Sequence, residues 1–212
     1  MTRRQIIVTL AVAAALSTSP GGRAATPSAW TQWGGPTRDF MSDATGLATT
    51  WPAAGPKKLW SRALGEGHSS ILVENGRLYT MYRPLGMLAA VRRSQEEVVT
   101  ALDAATGKTM WEFKYPSPTD DLDFSQGAGP HATPLIVGNR IYAASSRREL
   151  FALDKTTGKR IWSHDFIKEY GAPSPGRGYS CSPLAFGSTL IVTLGGRDQA
   201  VAAFNQQSGA LV

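Results

Sequence analysis

The chain has 212 residues, of which 42% are hydrophobic and 18% are charged, and it contains 22 glycines and 13 prolines. This composition excludes an intrinsically disordered chain, a long coiled coil and a collagen-like fibre. The formal net charge is +6, but no run of lysine and arginine interleaved with aromatic residues occurs, so we expect no nucleic-acid partner. A chain of this length can enclose one sizeable core.

Residues 1–24 have the features of an export signal peptide. Arg3 and Arg4 form a positive start, residues 6–16 form an apolar run, and Gly22-Arg23-Ala24 offers a small-residue cleavage site. The apolar run is too short to span a bilayer as a helix, which needs about 20 residues. The arginine pair also resembles a twin-arginine signal, so the general secretory and twin-arginine routes both stay open. We therefore expect an exported protein, periplasmic or extracellular, with no membrane span.

Cys181 is the only cysteine of the chain. A single thiol excludes an internal disulfide, a zinc ribbon and a haem-attachment motif. Because no cysteine follows the predicted signal, we also expect no lipid anchor at the mature amino terminus. Unpaired cysteines are among the most buried residue types, and we expect Cys181 to be buried.

The rest of the chain is built from a repeat of 51 residues. The segment 101–111, Ala-Leu-Asp-Ala-Ala-Thr-Gly-Lys-Thr-Met-Trp, returns at 152–162 and again, in part, at 203–212. The repeat spaces three glycines and three tryptophans evenly along the chain: Gly107, Gly158 and Gly209, and Trp60, Trp111 and Trp162. Self-similarity at this period is typical of a propeller or a solenoid.

The pattern within each repeat predicts four short antiparallel strands. Two β-branched or aromatic runs joined by a turn with Gly or Asn form a first hairpin at 69–79, 133–142 and 182–191. A second hairpin closes through Asp-x-x-Thr-Gly-Lys in the first two repeats, and no helical period follows the signal. The sequence therefore predicts an all-β fold, a β-propeller of four-stranded antiparallel blades at about 69–114, 133–165 and 182–212.

The number of repeats predicts an incomplete arc. The 188 residues after the signal make about 3.7 repeats, whereas propellers close with about four to eight blades. Lys57–Ser61, with Trp60, has the pattern of an outer strand that lacks three strands of its own. We therefore expect an extended amino-terminal segment at 25–56, repeats over 57–212, and an open arc of about three blades.

The repeated turn has a structural explanation. Asp103 and Asp154 can accept backbone N–H groups two or three residues further on, and Gly107 and Gly158 can adopt a positive φ. The tryptophan three residues after the lysine lies on the outermost strand, where we expect it to pack against the neighbouring blade. Because an active site needs one copy of each group, the residues that recur in every blade are interpreted as structural.

The motif Ala-x-Asp-x-x-Thr-Gly-Lys-x-x-Trp at 101–111 and 152–162 resembles the tryptophan-docking motif of the pyrroloquinoline quinone (PQQ)-like β-propeller superfamily. Trp33–Asp39 and Gly65–Ser70 resemble segments of its exported bacterial members, so the resemblance covers about residues 30–212. The superfamily includes quinone-dependent alcohol dehydrogenases and non-enzymatic scaffolds, such as the lipoprotein that assists outer-membrane protein assembly. Two features depart from those relatives: the vicinal cysteine pair of the dehydrogenases and the amino-terminal cysteine of the lipoprotein are both missing.

Candidate ligand-binding residues lie in the loops that precede the innermost strands, because those strands line the central channel of a propeller. Aligning the hairpins places Gly65, Gly129 and Gly178 in one column, and the residues that follow them differ between blades. The candidates for a ligand funnel are Glu66, His68, His131, Arg177 and Tyr179. The alternative is that each side chain only satisfies a hydrogen bond within its loop. The spacing of the histidines matches no metal-binding motif, so no metal site is predicted.

Two further charged segments have simple interpretations. Asp120–Asp123 lacks the glycine and the trailing glutamate of a calcium loop and is interpreted as a solvated acidic turn. The insert Pro84–Glu96 lengthens one hairpin, and it is compatible either with recognition or with a basic solvated loop.

Two functions from different classes follow from the resemblance. The favoured one is an extracytoplasmic scaffold that binds a protein or cell-envelope partner without a cofactor. The alternative is a quinoprotein dehydrogenase of the alcohol-oxidising type, which would use PQQ and calcium. Paired cysteines, a haem motif or a clear set of calcium ligands would favour the dehydrogenase, and none is visible in the sequence.

Overall fold

A computed structural model describes residues 29–46, 48–86, 93–196 and 198–212. The predicted export signal, residues 1–24, lies outside the described residues. Within them, eleven strands form three antiparallel sheets, and one helix of five residues is present. No helix in these ranges is long and apolar enough to cross a membrane.

The three sheets follow one another along the chain, and each forms one blade. The strands of the first blade are hydrogen-bonded in chain order: β1 (Leu72–Glu74), β2 (Arg77–Tyr82), β3 (Glu96–Asp103) and β4 (Thr109–Pro116). The second blade repeats this order: β5 (Leu135–Val137), β6 (Arg140–Ala144), β7 (Glu149–Asp154) and β8 (Arg160–Asp165). The third blade contains β9 (Leu184–Phe186), β10 (Thr189–Gly196) and β11 (Gln199–Asn205). Leu211 adds the start of a fourth strand through one bridge to Phe204.

The predicted fold class, an all-β propeller with an incomplete arc of about three blades, is confirmed. The repeat extends to the strand register, since β4 is bulged at Met110, opposite Ala101 and Leu102, and β8 is bulged at the equivalent Ile161, opposite Ala152 and Leu153. Both bulges lie just after the Asp-x-x-Thr-Gly-Lys turn, so the same local sequence produces the same local geometry.

The hydrophobic core lies between the blades, because successive side chains of a strand point to opposite faces of the sheet. In β6, Ile141 and Ala143 pack in a cluster shared with the first blade. Tyr142 and Ala144 of the same strand pack in a cluster shared with the third blade. The second blade is therefore apolar on both faces, because each face is covered by a neighbouring blade.

The turns that close the second hairpins are held by their first side chain. Asp103 Oδ1 accepts a hydrogen bond from Thr106 N at 2.8 Å, and Asp154 Oδ1 accepts one from Thr157 N at 2.8 Å. In the third blade Asn205 takes the same position and accepts from Ser208 N at 3.0 Å. The same side-chain bond therefore holds the turn in all three blades.

The repeated tryptophans connect each blade to the next. Trp60 Nε1 donates to Ala104 O at 2.9 Å, Trp111 Nε1 donates to Lys155 O at 3.0 Å, and Trp162 Nε1 donates to Gln206 O at 3.2 Å. Each acceptor lies 44 residues after its donor, in the turn of the following repeat. Lys57–Ser61 was predicted to be an outer strand, and this prediction is wrong, because residues 57–61 belong to no strand. Trp60 makes its contact from this segment.

Two further expectations from the sequence are wrong. The absence of a helical period predicted no helix, but α1 (Phe166–Tyr170) follows β8, because Asp165 accepts from Ile167 N and Lys168 N at its start and Gly171 ends it at φ 64°. Cys181 is exposed rather than buried. Its loop turns Tyr179 inward and leaves the thiol on the surface.

Candidate functional site

The loops that precede the inner strands β1, β5 and β9 lie next to one another on the same face of the arc. We call residues 65–70, 129–133 and 177–182 the entry-loop surface. His68 N donates to Pro130 O at 2.8 Å, which joins the first two loops. Thr133 N donates to Ser182 Oγ at 2.9 Å, which joins the second loop to the third. The three loops therefore form one continuous surface across the three blades.

The structure brings His68 and His131 together. Their rings are stacked, with centroids 4.9 Å apart and an angle of 16° between the planes. Glycines make this approach possible, since a Cβ on Gly127 would lie 2.5 Å from His68 Cε1 and a Cβ on Gly178 would lie 3.0 Å from His131 Cδ2. Burial lowers the pKa of His131, and the neighbouring His68 ring lowers this pKa further. Two stacked imidazoles thus favour the uncharged state of the inner one.

Glu66, two residues before His68, and Arg177, directly before Gly178, are each engaged in an ion pair. Glu66 Oε2 is 3.6 Å from Arg93 Nε, and the Arg93 guanidinium stands 4.5 Å from the centre of the Phe124 ring. Arg177 Nε is 3.4 Å from Asp123 Oδ2. The side chains of Glu66 and Arg177 remain 43% and 70% exposed, so both pairs present charge to solvent.

Tyr179 is separate from the other four candidates, because its side chain is buried in the core between the second and third blades. Its hydroxyl donates to Thr193 O at 2.8 Å, and burial raises its pKa to about 12. At neutral pH the phenol is therefore protonated and anchored, which suits a structural role for this loop residue.

A buried charge pair below the entry loops was missed by the sequence analysis. Arg83 Nη2 donates to Glu97 Oε1 at 2.8 Å, and neither side chain is accessible to solvent. Glu97 Oε2 accepts from the Tyr115 hydroxyl at 3.0 Å and from Ser146 N at 3.1 Å, which ties the first blade to the second. We call Arg83, Glu97, Tyr115 and Ser146 the buried charge node. Its only signal in the sequence is one charged residue directly after β2, Arg83, and another within the largely apolar β3, Glu97.

The amino-terminal segment was also placed incompletely by the sequence, which predicted only that it is extended. Trp30 pairs with Val73 of β1 through hydrogen bonds of 2.8 and 2.9 Å, and Thr31 O accepts from Ile136 N of β5 at 2.8 Å. Arg38 Nη2 donates to Ala185 O of β9 at 3.0 Å. The segment therefore runs along the inner edges of all three sheets, on the channel side of the arc.

Within the described ranges, the side chains do not form a binding site for the quinone and calcium that the dehydrogenase interpretation implies. No group of three or more His, Cys, Asp or Glu side chains is placed there to hold a metal ion. The carboxylates nearest the entry loops are already paired: Glu66 with Arg93, Asp123 with Arg177, and Asp121 with Arg147. The one cysteine cannot form a vicinal disulfide. We therefore derive no reaction step through a quinone.

Comparison with known proteins agrees with the fold. A profile of the family described as outer membrane protein assembly factor BamB matches residues 95–212, which is more than half of the chain. BamB of Yersinia pestis is 26% identical over 157 residues, covering 74% of this chain and 35% of that protein. The quinoprotein alcohol dehydrogenase PedH of Pseudomonas putida is 30% identical over 118 residues, covering 54% of this chain and 19% of that protein.

Solved structures show the same architecture. A europium-containing methanol dehydrogenase superimposes with a TM-score of 0.53 at 18% identity, covering 72% of this chain and 25% of that one. At this identity the likeness concerns the fold alone. The chain spans about a third or less of the length of these curated relatives. On the profile match and the three repeated blades, the chain belongs to the PQQ-like β-propeller family whose profile is described as outer membrane protein assembly factor BamB.

Proposed function

We propose that the chain is part of an exported propeller scaffold that binds a protein partner of the cell envelope through its entry-loop surface. The family supports this proposal, because the Yersinia relative bears the name of an outer membrane protein assembly factor. Export, to the periplasm or beyond, is supported by the signal-like residues 1–24.

The observation that carries the proposal is the combination of exposed ion pairs with a rigid support. Glu66–Arg93 and Arg177–Asp123 present both signs of charge at the surface. Beneath them the buried charge node and the loop-to-loop hydrogen bonds hold the backbone in place. A partner protein gains specificity from such fixed charges, since complementary potentials steer the encounter and set its register.

Site-specific photo-crosslinking in the exporting cell tests this proposal. A crosslinking amino acid replaces Arg177 on the entry-loop surface or, as a control, Arg160, which begins β8 beside the Lys159 turn at the opposite end of the blade. We expect one discrete adduct with an envelope protein from position 177, reduced by Glu66→Gln, and no such adduct from position 160. Equal adducts from both positions, or none from position 177, would contradict the proposal.

A quinoprotein dehydrogenase is the second candidate, supported by the Pseudomonas relative of 30% identity. PQQ absorbs where tryptophan emits, and Trp30 lies on the channel side of the arc, so a bound quinone would quench the fluorescence. Titration of the chain with PQQ and calcium separates the two functions. The scaffold proposal expects quenching that rises linearly with PQQ and is unchanged by calcium. Saturable, calcium-dependent quenching would favour the dehydrogenase.

A further inference from the structure

A cleft of about 410 Å³ opens between the first and second blades, outside the entry-loop surface. Pro116 and Pro118 of the first blade form one wall, and β7, β8 and α1 of the second blade form the other. The residues that line the cleft combine apolar surface with four charges: Pro116, Pro118, Arg147, Glu149, Asp165, Ile167 and Lys168. None of the candidates from the sequence analysis lies in it.

Two carboxylates face each other across adjacent strands in this cleft. Glu149 of β7 and Asp165 of β8 are direct partners in the antiparallel register. Like charges in this position destabilise a sheet. One repeat earlier, 51 residues back, the same register positions hold Val98 and Lys114, a pair without repulsion. The second blade therefore departs from its own repeat by placing two negative charges where the first blade has none.

The remaining charges of the cleft do not neutralise Glu149. Arg147 is paired with Asp121. Lys168 Nζ lies 2.8 Å from Asp165 Oδ2, and Asp165 also caps α1. The Glu149 carboxylate makes no hydrogen bond or ion pair to any residue that the structure describes, although the side chain is half-buried. The cleft thus carries one uncompensated negative charge.

The pKa of Glu149 is consistent with a carboxylate that has no positively charged partner. Burial raises the pKa of Glu149, and the Asp165 carboxylate raises it further. Glu97 acts in the same direction, whereas Lys168 and Arg160 lower this pKa without cancelling the rise. A cation bound against Glu149 would reverse the shift by favouring the ionised carboxylate.

We propose that the cleft receives a lysine or arginine side chain of the protein partner. The proposal rests on the proposed function, because it presupposes that the chain binds a protein. The aliphatic stem of the side chain would lie against Pro116, Pro118 and Ile167, and its charged head would bond to Glu149. Binding removes the repulsion between the two carboxylates, which explains why a pair that weakens the sheet is present.

Peptide titration of the whole chain, followed by NMR, tests the proposal. The probes are acetylated and amidated Ala-Leu-Lys-Leu-Ala and the same peptide with norleucine in place of lysine. We expect saturable shifts of the Glu149 and Ile167 amides with the lysine peptide and none with the norleucine peptide. Glu149→Gln should weaken binding by about tenfold or more, and Asp43→Asn, which removes one exposed carboxylate elsewhere, should leave it within about twofold.

The pH dependence of peptide binding provides a second test of the proposal. We expect the affinity for the lysine peptide to rise with pH as Glu149 ionises and this dependence to disappear in Glu149→Gln. Equal binding of both peptides, or no effect of Glu149→Gln, would overturn the proposal. Putrescine binding that depends on Glu149 while neither peptide binds would also overturn it, in favour of a small polyamine. Crosslinks from position 177 report on the scaffold function separately, because they do not require Glu149.

Discussion

The tryptophan of each outer strand lies directly over the glycine of the next turn. A Cβ on Gly107 would be 2.6 Å from Trp60, one on Gly158 would be 2.5 Å from Trp111, and one on Gly209 would be 2.9 Å from Trp162. Each of these glycines also has a φ between 70° and 76°, which other residues adopt only with strain. One glycine thus meets two requirements: the turn geometry and the space for an indole.

Replacing Trp111 by alanine should lower the free energy of unfolding by about 3–5 kcal/mol, because a large buried aromatic side chain is removed and a cavity remains. Trp111 is 8% exposed and its indole N–H is hydrogen-bonded to the second blade. Chemical denaturation of the chain measures the change. Met110→Ala is the control, since its exposed neighbouring side chain should cost little. Equal midpoints for Trp111→Ala and the parent chain would refute the interblade role.

Two glycine variants separate backbone strain from contact with the indole. Gly138 has a φ of 55° and open space around it, so Gly138→Ala should cost only the strain of the left-handed conformation, about 1–2 kcal/mol. Gly158→Ala should cost more, because its new methyl group collides with Trp111. The comparison requires only the two unfolding free energies. A loss no larger for Gly158→Ala than for Gly138→Ala would show that the indole moves aside freely.

The stacked histidines predict that the pKa of His131 depends on the His68 ring. Because the folded pKa of His131 is lowered below its ordinary value of 6.5, its contribution to stability is full above that pH and is lost as the pH falls through the folded pKa. His68→Phe keeps an aromatic ring in the stack and removes the charge that opposes protonation. We therefore expect the NMR titration of the His131 ring to move to higher pH in this variant. An unmoved midpoint would mean that burial alone sets the pKa of His131.

At the scale of the elements, the strands could be predicted from the sequence, but helix α1 and the facing Glu149–Asp165 pair could not. Alternating apolar residues and Gly-containing turns specify each hairpin locally, so the sequence located the inner hairpins and the Asp-led turns. Helix α1 has only five residues, too few to show a period, and its caps Asp165 and Gly171 were its only signals. The Glu149–Asp165 pair becomes visible only when both residues are compared with Val98 and Lys114 one repeat earlier.

The facing carboxylates of β7 and β8 predict a stabilising substitution. The pKa of Glu149 is raised above its ordinary value of 4.5, so its contribution to stability is full below that value and is lost as the pH rises through the folded pKa. Glu149→Gln should therefore raise the free energy of unfolding at neutral pH by about 0.2–1 kcal/mol. The gain should vanish in acid, where both carboxylates are protonated. Urea denaturation at the two pH values measures this, and a loss of stability at neutral pH would contradict the account.

At the scale of the whole molecule, stability depends on contacts that the repeat does not encode. The buried charge node and the pairing of Trp30 with Val73 use residues that occur once, so no comparison of repeats could locate them. Of the candidate site, the sequence located the entry loops through their glycine column, but it could not pair His68 with His131 or separate Tyr179 from them. Those relations depend on how neighbouring blades pack, which the sequence of one blade does not determine.

The third blade carries exposed apolar side chains along β11, which should make the 212-residue chain self-associate. Val201 is 60% exposed and Val212 is 78% exposed, and a groove of about 420 Å³ runs between them beside Tyr170 and Leu194. Within the described residues, the outer edge of β11 is paired only at Ala203, Phe204 and Asn205. Unpaired, apolar strand edges associate with one another, and lysine on an edge prevents this.

Sedimentation velocity over a range of concentrations should therefore show a population larger than the monomer that grows with concentration. Val201→Lys should shift the chain toward the monomer, because the new charge would have to be buried in any contact along this edge. Leu59→Lys, at an exposed position before the first blade, is the matched control and should leave the association unchanged. A monomer at every concentration would remove the argument. Equal effects of the two substitutions would place the contact elsewhere on the molecule.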